Sequence, residues 1–132
     1  MRPPLCLQRM VGPRFTNNTL TLATVGHLVG DYLLQTDWMA QNKKLRSWPC
    51  LVHCIIWTAC VCIFAGWGWL AAAFLLACHF AQDRTQIVKW WMTLAWKNQS
   101  GFTQPPLAPW SLIVVDNVWH VVQLWVAWRF LA

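Results

Sequence analysis

His27-Leu28-Val29-Gly30-Asp31-Tyr32-Leu33-Leu34-Gln35 sets a histidine and an aspartate four residues apart inside an apolar run. Residues at i and i+4 share one face of a helix, so the two side chains point the same way. The leucines and valines around them predict a membrane helix. There an ionisable group is expensive and marks a functional site by default. The spacing recurs in His79-Phe80-Ala81-Gln82-Asp83 and, reversed, in Asp116-Asn117-Val118-Trp119-His120. That reversal is what an antiparallel bundle needs to keep both residue types at one depth.

Working outward, a span needs about 20 mostly apolar residues. Four stretches fit: 19–36, 49–66, 69–92 and 110–131. The expected fold is therefore all-α, a polytopic antiparallel four-helix transmembrane bundle over residues 19–132, preceded by a basic flexible tail over 1–18. The tail carries Arg2, Arg9 and Arg14 and lacks the apolar run of a signal peptide. Gly66-Trp67-Gly68-Trp69 holds no charge and predicts a tight turn between the second and third spans. The segments 37–48 and 97–109 are expected to be loops, and Pro49 and Pro109 to mark helix starts. Asp37, just past the first span, fits a cap or loop position.

Composition agrees. Apolar residues make up 58% of the 132 residues and charged residues 11%, a membrane balance rather than that of a soluble core. Many of the twelve tryptophans flank the spans, where an indole sits half wet. The net charge of +6 fits contact with anionic headgroups. No basic stripe lies on a soluble module, so nucleic acid is excluded as a partner and the lipid bilayer takes its place. Arg2, Arg9, Arg14 and Arg129 lie on one side and Lys43, Lys44, Arg46, Lys89 and Lys97 on the other; counting only charges near the spans favours the second side as cytoplasmic. The six cysteines show no CxxC spacing and read as small buried thiols.

The chain has four acidic residues, all aspartate, and three of them stand in the His/Asp pairs. Counted from the loop side, Asp31, His53, Asp83 and Asp116 fall in one layer about 6–13 Å deep. His27, His79 and His120 fall about one turn deeper. These seven residues are the candidate metal ligands. Imidazole and carboxylate donors suit zinc first, with manganese or iron as alternatives, as one or two ions. Interhelical polar contacts would explain one such pair, but not agreement in depth across four segments. Asp31, Asp83 and Asp116 are also the catalytic candidates, with one of them serving as general base. Gln35 and Arg84 are the candidate substrate contacts, Arg84 as a clamp on an anionic group unless it snorkels to the interface. Gln86 and Asn117 are amides placed to orient ligands.

The opening motif His27-Leu28-Val29-Gly30-Asp31-Tyr32-Leu33-Leu34-Gln35 resembles that of the small bacterial and phage membrane proteins grouped as DUF3307. The isolated His53, the His79–Asp83 motif and Val115-Asp116-Asn117-Val118-Trp119-His120 resemble that family too, although it typically has Gln where this chain has Asn117. The resemblance covers about residues 22–131 and implies a multi-pass protein of the bacterial inner membrane, without naming a reaction. More loosely, the pattern is similar to membrane-bound metal-dependent hydrolases.

The expected function is thus an intramembrane metal-dependent hydrolase acting on a lipid or other membrane-soluble substrate. The absence of glutamate excludes HExxH chemistry, and Ser47, Ser100 and Ser111 lie in or beside loops, where no serine triad forms. A divalent metal transporter, which would need a homo-oligomer for alternating access, is the alternative. A non-enzymatic accessory protein is the third reading.

Overall fold

The computed structural model describes residues 17–94 and 100–132. Most of the basic tail, with Arg2, Arg9 and Arg14, and also Trp96 and Lys97, lies outside these residues. Among the described residues the chain is all-helical. The α-helices are α1 (Asn17–Leu28), α2 (Asp37–Asn42), α3 (Ser47–Ala65), α4 (Trp69–Arg84), α5 (Ile87–Met92) and α6 (Trp110–Phe130). A π-helical segment, Val29–Leu33, continues α1, and a 3₁₀ turn, Ser100–Thr103, precedes α6.

α1, α3, α4 and α6 form the bundle: α3 packs on α1 and α4, and α6 closes the ring against both. The helices run antiparallel to their neighbours. Residues ascending α1 meet residues descending α3: Gly26 lies against Val61, Gly30 against Trp57, and Asp31 against His53. The α3–α4 turn is as tight as its glycines predict. Gly66 takes the left-handed conformation at φ 69°, and Gly66 N–H and Trp67 N–H both donate to the Cys62 carbonyl.

Gly26 and Gly30 set the closest approach in the bundle. A Cβ on Gly26 would lie 2.9 Å from the Cys60 carbonyl oxygen, and one on Gly30 would lie 2.9 Å from Trp57 Cδ1. This small-xxx-small face lets two backbones touch, a packing device of membrane helices. Below the histidines the core is apolar, built from Ala23, Val61, Ala71, Leu75, Leu124 and Ala127.

Two helices, α3 and α6, are long and apolar enough to cross a membrane. The other two bundle helices are shorter than the spans read from sequence. α4 has 16 residues and rises only about 24 Å. The expected span 69–92 breaks at Thr85, whose extended backbone ends α4 before α5 begins. The Thr85 hydroxyl donates back to the Ala81 carbonyl and accepts from Ile87 N–H, an arrangement that turns the chain. The expected span 19–36 ends its helical run at Leu33. The loop expected at 37–48 contains α2, capped by Thr36 Oγ1 accepting from Met39 N–H, so Asp37 sits in the first turn where the helix dipole favours a carboxylate.

Candidate metal centre

All seven candidate ligands meet on the loop-side half of the bundle. α1 and its π segment supply His27 and Asp31, α3 supplies His53, α4 supplies His79 and Asp83, and α6 supplies Asp116 and His120. The four histidines and Asp83 are buried, while Asp31 and Asp116 are partly exposed. Each sequence pair is also a spatial pair: His27–Asp31 at 3.2 Å, His79–Asp83 at 3.4 Å and Asp116–His120 at 3.8 Å.

Asp31 is central because its two oxygens face different partners. Oδ1 lies 3.2 Å from His53 Nε2 and 3.8 Å from His79 Nε2. Oδ2 lies 3.2 Å from His27 Nδ1 and 3.6 Å from His120 Nδ1. The residue stands in the π segment, where Leu34 N–H reaches back five residues to the Val29 carbonyl. Such single π turns recur at functional sites because the wider turn re-aims a side chain.

Asp31 Oδ1 is one of four donor atoms that converge from three helices. His53 Nε2 and His79 Nε2 are 3.0 Å apart, and Asp83 Oδ2 is 3.1 Å from the first and 3.4 Å from the second. A tetrahedral zinc with ligands at about 2.05 Å has ligand–ligand edges of about 3.3 Å. The five measured edges, 3.0 to 3.8 Å, bracket that value. Asp31 Oδ1 has no aligned hydrogen bond despite these neighbours. Asp31, His53 and His79 form one group that could hold a metal ion, with Asp31 Oδ1 its unbonded oxygen; His79, Asp83 and His120 form a second, and His27, Asp31 and His120 a third. The Nδ1 atoms of His53 and His79 have no hydrogen-bond partner among the described residues.

His27 plays a different part. Asn117 Nδ2 donates to the Ile113 carbonyl at 2.8 Å and to the Tyr32 hydroxyl, so Asn117 Oδ1 is left as an acceptor. His27 Nε2, 2.9 Å away, must therefore be the donor. The Trp57 indole N–H donates to His27 Nδ1 at 3.0 Å. Both ring nitrogens are thus engaged, and the Nδ1 lone pair is covered by the indole. Nδ1 lies within reach of Asp31 and His120 donor atoms, but its lone pair is engaged by the indole N–H, so it neither donates to Asp31 Oδ2 nor is free to ligate an ion. His120 is the opposite case, with neither nitrogen hydrogen-bonded. Its ring stacks on His79 at 4.3 Å, and His79 stacks in turn on Trp57 at 4.0 Å.

Asp116 accepts from the Gln82 amide at its Oδ1, 2.9 Å away, and Gln82 is itself held by Gln123. Lys43, read from sequence as a loop charge, reaches the cluster. Its Nζ is 2.7 Å from Asp83 Oδ2 and donates to Gln35 Oε1 at 2.9 Å. Burial works to lower the Lys43 pKa, but the Asp83 carboxylate outweighs it and holds the ammonium above its ordinary value. Gln35 is thereby placed beside the cluster. Arg84 lies outside it, donating to the Lys44 and Leu45 carbonyls and to Ser47 Oγ, where it ties α4 to the start of α3.

Sequence reading missed Trp57, Lys43, Gln82 and the glycine pair. The Gly26–Gly30 spacing alone carried a legible signal. The cluster opens on the loop side into a cavity of about 420 Å³ whose wall includes Asp31, Asp83, Asp116, Lys43, Lys44 and Lys89. No curated protein and no solved structure is similar enough to match the chain. The family model described as a protein of unknown function, DUF3307, does match it over residues 19–132, and the chain belongs to that family.

Proposed function

We propose that the chain is a four-span membrane protein that holds one divalent ion, zinc in preference to manganese or iron, and hydrolyses a membrane-soluble substrate with it. The observation that carries this reading is the convergence of His53 Nε2, His79 Nε2, Asp31 Oδ1 and Asp83 Oδ2 at tetrahedral-edge separations. α3 and α6 cross the bilayer, and α1 and α4 traverse most of it beside them. The exposed valines of α6, Val114, Val118, Val121 and Val122, suit a lipid-facing surface. The lysine-bearing connections and the resemblance to bacterial proteins support an inner membrane, with the cluster near its cytoplasmic face.

One ion is favoured over two. The three donor groups share Asp31, His79 and His120, so filling one draws ligands from the others, and His27 Nδ1 is covered by Trp57. A divalent ion supplies Lewis acidity and makes a bound water acidic enough to act near neutral pH. The chain supplies the rest. Asp116 is held by Gln82 at the cavity wall, where it can accept a proton as general base. His27 and Trp57 pack behind Asp31. Bundle packing excludes water below the histidines.

Hydrolysis is preferred to transport because of that packing. Trp57, Leu75 and Leu124 fill the space below the histidines, so the polar cluster faces one side only. A carrier needs a route to both sides.

The test is turnover by the purified protein in nanodiscs with ester and phosphoester lipids. Hydrolysis should vanish with chelator, return with zinc, and fall about 10²–10⁴-fold in Asp116→Asn with the ion retained. A zinc-loaded protein that turns over none of these lipids would overturn the enzymatic reading and leave the accessory one.

A further inference from the structure

The cavity over the cluster has a second, apolar neighbour. A groove of about 550 Å³ runs between α1 and α6, with Leu28, Val114, Val118, Val121 and Val122 in its walls. Cavity and groove share three lining residues, Tyr32, Ile113 and Asn117. The hydrogen bond from Asn117 Nδ2 to the Tyr32 hydroxyl stands at their junction. One compartment is polar and lysine-bearing at the loop side, and the other is a nearly featureless hydrocarbon slot.

We propose that cavity and groove together seat one lipid with a net-anionic phosphate head, the head among Lys43, Lys44 and Lys89 and one acyl chain along α6. This rests on the reading that α1 and α6 lie in the bilayer and that the cluster holds an ion.

Charge complementarity selects the head. Three lysines line the cavity beside three aspartates, so with neutral histidines the cavity is close to balanced. A divalent ion adds two positive charges; a phosphate monoester offsets nearly both, an anionic diester offsets one, and a zwitterionic head offsets none. Lys43 sharpens this. Its ammonium contacts Asp83 Oδ2, the same oxygen that completes the ligand quartet. With that oxygen committed to an ion, Lys43 turns its charge to the cavity.

Lys44 keeps its position by donating to the Asp83 and Thr85 carbonyls at 3.2 Å, so it presents a fixed rather than a wandering charge. The chain's place follows from shape. The groove begins where the head cavity ends and continues down α6 to Val122. A lipid in this seat holds its ester or phosphoester linkage near the Tyr32–Asn117 junction, beside Asp31 and Asp116, which line the same cavity.

The test is native mass spectrometry of the full chain from mixed micelles holding equal amounts of dioleoyl phosphatidic acid and phosphatidylcholine. Zinc content is measured on the same samples. The expected result is one retained phosphatidic acid per chain with at least a tenfold preference. Lys89→Gln should cut retention several-fold. Val118→Trp, at an exposed position that tolerates bulk, should fill the groove and cut retention of both lipids. Neither change should alter zinc content, and 10 mM inorganic phosphate should not displace the lipid. Equal retention of the two lipids, displacement by inorganic phosphate, or an unaffected Val118→Trp would overturn the seat. A zinc-free chain that still retains phosphatidic acid selectively would overturn the metal reading and, with it, the ion's part in selecting the head.

Discussion

His53 Nε2 and His79 Nε2 face each other at 3.0 Å between the carboxylates of Asp31 and Asp83. Two imidazole lone pairs do not rest at that distance without something between them. A shared proton satisfies the pair and leaves Asp31 Oδ1 unbonded; a cation satisfies all four atoms. α1, α3 and α4 hold the donors in place, so the site is assembled by the fold before any ion arrives.

The tautomer of His27 follows from its neighbours. The Ile113 carbonyl orients Asn117, Asn117 accepts from Nε2–H, and Trp57 donates to Nδ1. Side-chain ¹⁵N spectra of histidine-labelled protein should show His27 neutral, protonated at Nε2 and bare at Nδ1. A proton on Nδ1 would contradict this network and make His27 a donor to Asp31 Oδ2 instead.

Gly30 fixes the distance between α1 and α3. A methyl group there meets Trp57 at both Cδ1 and Cα, and backbone cannot rotate aside. Gly30→Ala should destabilise the folded protein by about 1–3 kcal/mol in a denaturant titration in detergent. Gly68→Ala, where an added Cβ meets nothing within 4 Å, should cost less than about 1 kcal/mol. Equal effects would mean that the helices are not in backbone contact.

Lys43 and an ion compete for Asp83. Lys43→Gln removes the ammonium from a buried carboxylate that keeps His53 and His79 as neighbours, a loss of about 1.5–3 kcal/mol for a hydrogen bond to a charged group. Zinc should then raise the melting temperature of Lys43→Gln by more than it raises that of the wild type. A smaller rise would mean that the lysine supports the ion. The sign with pH is fixed by the raised ammonium pKa. The Lys43 contribution is complete below the unfolded value of 10.5 and fades only as pH rises through the higher folded value, so it is constant near neutrality.

The His/Asp spacing was legible because helical period and side-chain chemistry are both local. It singled out six residues, and depth along the second span added His53. Span ends were less legible, since hydropathy continues from Arg84 into Ile87–Met92 while the backbone turns at Thr85. The π segment had no visible cause in Val29–Leu33, and only the i+5 hydrogen bond reveals it. Lys43 and Trp57 were hidden for another reason. Each acts across the bundle, on Asp83 forty residues away and on His27 thirty residues away. Asn117 was read as a nearby amide, and its contact with His27 gives that reading a specific atom.

The measurement that tests the central claim most directly is metal content by elemental analysis of untagged protein purified in mild detergent without chelator. Wild type should carry about one equivalent of zinc, manganese or iron per chain. His53→Ala and His79→Ala should each lose it, while Trp57→Phe, which leaves the quartet whole, should keep it at up to about 100-fold lower affinity. Wild-type protein that takes up no ion after reloading with each of the three would contradict the account and leave the His/Asp cluster as a packing or proton-sharing device.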